Sequence, residues 1–373
     1  MRTRRFLASL LVAVVTLGAL APVAAADPAK PTNYRSRILS ISPPTPAMTL
    51  RVVGGDGFLY LHIRHGHTAA VPGYDGEPWL RVLADGSVQE NQLSPATYLN
   101  ANRYGVIPTF PPGVGAQQAT ADPQWTTVAH GGTYVWHDHR IHYMTPDIAP
   151  KLVPGTDRVQ LTARADGKWV IPMTVDGRRV TVIGELLLLP APNALLSWGL
   201  VVGIVVVVAG VALVWRRLAL PLASVLVGLG GVAALISGWR ELAVVPSQAG
   251  GNPVAVALPV AAIIAAILSV VMRNTATRAI AVLAGSAALL AWGLLRIAAL
   301  EKAVPLSDLS PTLARLLIAF ALGAAVAAAV ASVRSGALAL APLGDDEDAE
   351  DDEDDKDDEG PTLPPPTLTV VDD

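Results

Sequence analysis

From Leu195 onward the sequence changes character abruptly, and this change limits the folds open to the chain more than any other feature. Five nearly uninterrupted apolar runs fall near residues 195–214, 218–238, 254–272, 279–298 and 313–333. A helix of about 20 residues spans the ~30 Å hydrocarbon layer, and in lipid only a helix or a closed barrel satisfies its own backbone. The spacing therefore predicts a bundle of about five transmembrane helices over residues 195–333. Arg216, Arg217, Arg273, Arg278 and Arg334 fall at one set of connectors. The opposite set carries Arg240, Glu241, Glu301, Lys302 and Asp308, with Arg296 and Arg315 near the span ends. Gly199 and Gly203 form a small-xxx-small pair that can seat a neighbouring helix. Two connectors look weakly duplicated, one ending at Val245-Pro246 and the other at Val304-Pro305.

Charge is segregated along the chain. Of 31 acids, 15 lie between Asp345 and Asp373 beside a single base, Lys356, which leaves 26 bases against 16 acids elsewhere. Such a run, followed by Pro364-Pro365-Pro366, cannot bury a core and predicts a disordered acidic tail over residues 334–373. At the other end, Arg2, Arg4 and Arg5 precede the apolar stretch Phe6–Ala21 and the small residues Ala24-Ala25-Ala26. This is the pattern of a signal peptide over residues 1–26, cleaved before Asp27. Export of the first domain and an odd number of spans put the tail in the cytoplasm, in a multi-pass protein of the plasma membrane.

Residues 27–47 are Pro-rich without periodicity and read as a linker. Between Thr49 and Leu189 short β-type runs alternate with turn signals. Gly54-Gly55-Asp56-Gly57 separates one pair, Ala84-Asp85-Gly86 a second, and Asp176-Gly177 a third. Residues 105–124, rich in Gly and Pro, read as a long surface loop. The fold class is thus an all-β extracytoplasmic domain over residues 48–190, a cupredoxin-like or Ig-like sandwich, followed by an α-helical transmembrane bundle.

All seven histidines fall between His62 and His142. One cluster is His62-Ile63-Arg64-His65-Gly66-His67; the other is Trp136-His137-Asp138-His139-Arg140-Ile141-His142-Tyr143-Met144. On a strand, His-x-His projects two imidazoles to one face. If the two strands pair or face each other, the nitrogens can converge on a metal ion. Imidazoles suit copper(II), zinc and nickel, and the Met144 thioether favours copper(I). The candidate ligands are His137, His139 and His142, backed by His65, His67 and Met144, with Asp138 as an outer partner or a ligand. The alternative is a hydrogen-bonded structural network in which the same imidazoles stack and bond without metal. The absence of cysteine excludes disulfides, thiolate zinc sites and Cys-ligated blue copper. No phosphate loop, hydrolase elbow or aromatic-interleaved basic patch is present, so neither phosphate-loop chemistry nor nucleic-acid binding has support.

The stretch Gly132–Met144 resembles a motif of actinobacterial membrane-anchored proteins in which an exported β-domain precedes several helices. Glu90–Asn100 belongs to the same resemblance, which brings a layout and no established activity. The stretch is more distantly similar to the ligand strand of cupredoxins, with Tyr134, Trp136, His142 and Met144 in loose correspondence and the cysteine missing. That similarity implies a sandwich that binds copper in another way or not at all. Two functions follow as expectations: a membrane-tethered domain binding copper (or zinc) in envelope metal handling, and an envelope structural or interaction protein with a protein partner. An enzyme ranks third.

Overall fold

The computed structural model describes residues 27–106 and 109–337. The expected signal peptide and all but the first residues of the expected acidic tail lie outside the described residues.

The N-terminal domain is built from ten antiparallel strands in two sheets. The strands are β1 (Tyr34–Ser42), β2 (Met48–Val53), β3 (Phe58–Ile63), β4 (Ala69–Pro72), β5 (Pro78–Val82), β6 (Val88–Asn91), β7 (Trp125–Ala129), β8 (Thr133–Trp136), β9 (Trp169–Val175) and β10 (Arg178–Leu188). Seven form one sheet in the order β1-β10-β9-β4-β5-β6-β7, and three form the other in the order β2-β3-β8. Two short helices interrupt them, α1 (Pro95–Leu99) and α2 (Ala116–Ala121), the latter within the stretch expected to be wholly loop.

The three expected hairpins are present. The tightest joins β9 to β10 through Asp176 and Gly177, both with positive φ (49° and 73°). That pairing of left-handed residues matches the twist of the flanking strands. Period-two alternation then decides burial. Leu59, Leu61 and Ile63 of β3 share one buried core with Trp79, Leu80, Trp169 and Ile171 of the large sheet.

The stretch expected as a linker is a correction: residues 34–42 form β1, paired with β10 from Tyr34↔Leu188 to Ser42↔Thr181. Its sequence hides this because β1 is an edge strand with one wet face, and only Ser36 is fully buried, accepting from Trp169 Nε1 at 3.1 Å. Arg37 and Arg158 both bind Glu185, which fixes the register through a carboxylate 2% exposed.

Five long apolar helices follow: α3 (Ala194–Val214), α4 (Arg216–Val244), α5 (Val254–Val271), α6 (Thr275–Leu294) and α7 (Pro311–Arg334). Each has the length and hydropathy to cross a membrane. Helices pack closely where glycine removes a side chain; a Cβ on Gly238 would lie 1.9 Å from the Ala255 carbonyl oxygen. Gly199 and Gly203 behave otherwise. Nothing approaches either within 4 Å, so the expected packing of that pair inside the bundle does not occur.

The small sheet is covered on both faces. Its outer face carries Val53, Phe58 and Val135, which pack on Val245 and Ala249 beyond the end of α4. Polar contacts close the same junction. Ala29 donates to the Ala249 carbonyl (2.9 Å), Thr32 and Val304 exchange backbone hydrogen bonds (3.2 and 2.9 Å), and Arg51 Nη1 donates to the Val244 carbonyl (2.9 Å). The two Val-Pro connectors noted in the sequence are therefore the points at which the β-domain rests on the bundle.

Candidate functional site

Strand β8 ends at Trp136, and the histidine motif follows it directly. The antiparallel register pairs Leu59 with Trp136 and His62 with Thr133. Residues beyond Trp136 therefore run towards Gly57, while residues beyond Ile63 run towards Gly132. His137 and His65 leave the pairing at opposite ends, separated by about 20 Å of strand at ~3.3 Å per residue. The expected convergence of the two histidine clusters does not occur, although the strands do pair. His65 is exposed. His67 Nδ1 lies 2.8 Å from Asp176 Oδ2 on the β9–β10 turn. His62 bonds Thr133, and His130 is exposed, as expected of a lone histidine in a turn.

The structure does bring His137, His139 and His142 together. The His139 and His142 rings stand 5.3 Å apart and nearly perpendicular; the His137 and His142 rings are 6.5 Å apart. His137 is buried and stacks on Phe58 at 3.9 Å. Its Nδ1 faces the Gly57 carbonyl at 2.7 Å and its Nε2 the Asp27 carbonyl at 3.1 Å. His139 stacks on Tyr74, and its Nε2 faces the Asn102 carbonyl at 3.1 Å. Its backbone N–H donates to the Tyr74 hydroxyl, which in turn donates to Asn100 Oδ1. Burial lowers the pKa of both rings against the opposing pull of the carbonyls they face.

His142 is fully buried, and its Nε2 has no partner among the described residues. Burial above all, then the Arg103 charge and the His139 ring, pushes its pKa down to about 3. Met144, half-buried, follows two residues later.

Asp138 points away from the rings and into its own loop. It accepts from Trp136 Nε1 (2.9 Å), the Arg140 backbone N–H (3.0 Å), Arg140 Nε (2.8 Å) and Arg140 Nη2 (2.7 Å). Burial favours the neutral acid, but the Arg140 charge and these hydrogen bonds outweigh it and hold the carboxylate below the usual range. Among the described residues Asp138 therefore bonds to Trp136 and Arg140 and to no imidazole.

In the sequence Gly54-Gly55-Asp56-Gly57 reads as a turn, and nothing marks Arg103. In the fold Asp56 is fully buried and binds Arg103 Nη2 at 2.6 Å, while Gly57 offers its carbonyl to His137. Burial raises the Asp56 pKa to about 6 against the opposing Arg103 charge. The signal that could have found the pair is an acid in a turn that does not need it, followed by an arginine in a segment of few other charges. Glu90 is a second buried acid, accepting from the Tyr134 hydroxyl at 2.8 Å, with its pKa raised by burial to about 7.

Among the described residues no group of three or more His, Asp or Glu side chains is arranged to hold a metal ion. Compared with known protein families, curated proteins and solved structures, the chain shows no match. The site is accordingly read from its own geometry.

Proposed function

We propose that the chain is a multi-pass envelope protein whose extracytoplasmic β-domain, a sandwich of cupredoxin-like or Ig-like type, serves as a structural and interaction module. In this reading its histidine motif is a hydrogen-bond hub. One observation carries the reading. The imidazoles of His137 and His139 face backbone carbonyls from three separate segments, at Asp27, Gly57 and Asn102. A ring N–H that donates to such a carbonyl ties the histidine loop to that segment. Domain orientation follows the signal-peptide pattern, with the β-domain outside and the tail in the cytoplasm.

Coordination of copper, or of zinc, is the second reading, and His142 favours it. A buried imidazole nitrogen without a partner, on a ring 5.3 Å from that of His139, offers a lone pair to a donor or a metal ion. Met144 adds a thioether nearby in sequence. His65 and His67 have no place in such a centre.

Calorimetric titration of the detergent-solubilised full chain with copper(II) and zinc separates the two. The hub reading expects no binding heat from the wild type. It also expects His137→Gln/His139→Gln to melt several degrees lower, because buried hydrogen bonds of about 1–3 kcal/mol are disturbed. One metal bound per chain, abolished by the same double substitution at unchanged melting temperature, would replace the hub with the metal centre.

A further inference from the structure

A pocket of about 330 Å3 opens where the β-domain meets the bundle. Its walls come from the segment Asp27–Tyr34, from Gly57 and Phe58, from Arg103 and Tyr104, and from His137, Tyr143 and Lys302. Lys302 belongs to the connector between Leu294, the end of α6, and Pro311, the start of α7. Both helices are long and apolar enough to span a membrane, so this connector emerges at the level of the lipid headgroups. It is held there by Arg315, which donates to the Lys302 carbonyl at 2.8 Å and to the Ala303 carbonyl at 2.9 Å, and by the Thr32–Val304 bridge.

The pocket's charge selects the sign of its ligand. Arg103 is offset by Asp56, and Lys30 faces Asp27 at 3.8 Å across an exposed gap. Lys302 takes part in no ion pair among the described residues. Tyr34 and Tyr143, with rings 6.2 Å apart, also line the space. Burial, then the Asp56 charge, pushes the Tyr34 phenol up, so it stays a donor. A cation entering here would meet Lys30, Arg103 and Lys302, while of the two nearby carboxylates only Asp27 lines the pocket, facing Lys30, and Asp56 lies behind Arg103. An anion would meet an unpaired ammonium and phenol donors, the kind of arrangement that binds phosphate.

We propose that this pocket binds the phosphate of an anionic lipid headgroup from the leaflet on which the β-domain rests, with Lys302 as the charge contact. The position commits the ligand to lipid. The cation rises out of the bundle itself, and juxtamembrane lysines draw anionic headgroups.

Native mass spectrometry of the full chain, released from nanodiscs containing equal phosphatidylglycerol and phosphatidylcholine, tests this. The wild type should retain phosphatidylglycerol at least fivefold over phosphatidylcholine. Lys302→Gln should erase the preference, and Lys302→Arg should keep it, each with the wild-type melting temperature. Equal retention of the two lipids by the wild type, or a preference untouched in Lys302→Gln, overturns the proposal. Displacement of the lipid by millimolar inorganic phosphate also overturns it, because the source would then be a soluble anion. Copper or zinc binding elsewhere in the chain would leave the result unchanged.

Discussion

Asp138 and Arg140 lie two residues apart, both charged and both withdrawn from water, with Trp136 closing the group. Removing one member of such a pair strands the other. Asp138→Ala is expected to cost about 3–5 kcal/mol, read as a fall in the melting temperature of the solubilised protein. Replacing Asp138 and Arg140 together by apolar residues of similar volume should cost far less than that. The buried acids make a second prediction. Glu90 has a folded pKa near 7, above its ordinary value, so the folded state binds its proton first. Stability from this group therefore rises as pH falls through about 7, and it is lost as pH rises. His142 acts oppositely. Its folded pKa of about 3 lies below the ordinary imidazole value, so the unfolded chain takes up the proton first and stability falls below about pH 6.5. The two windows overlap, so gain and loss offset between about pH 4.5 and 6.5, where the melting temperature should be level, and it should fall below about pH 4.5. Glu90→Gln should remove the loss between about pH 4.5 and 7 and raise stability at pH 8 by about 1–3 kcal/mol.

At the scale of elements, close approach decides more than side-chain chemistry. Gly184 of β10 lies beneath the Trp169 ring, and a Cβ there would stand 2.0 Å from it. Gly184→Ala must displace Trp169 from Ser36 and loosen β9 from β1. The expected loss is about 1–3 kcal/mol or more, measurable by thermal melting followed through tryptophan fluorescence. The helices and the three hairpins were legible in the sequence because apolar run length and turn chemistry are local signals, as at Asp176-Gly177. β1 was not legible, since Tyr34–Ser42 carries alternating polar residues and becomes a strand only by pairing with β10, more than 140 residues away. The gathering of His137, His139 and His142 followed from sequence proximity. The separation of His65 and His67 from them did not, because the antiparallel register of β3 and β8 is a long-range property that no motif records.

Over the whole molecule, the five-span reading proposed above places the β-domain and the residues just after α7 on opposite sides of the membrane. The absence of native cysteine makes this directly testable. Thr156→Cys, on an exposed loop of the β-domain, should react with an impermeant maleimide on intact cells. Arg273→Cys, on the exposed α5–α6 connector, should react only after permeabilisation. Labelling of Arg273→Cys on intact cells would invert the topology.

Val53, Phe58 and Val135 are dry only because Val245 and Ala249 cover them. A proteolytic cut near Pro190 would therefore release a domain with a bare hydrophobic face and severed backbone contacts, prone to self-association. The domain is thus fitted to stay joined to its helices.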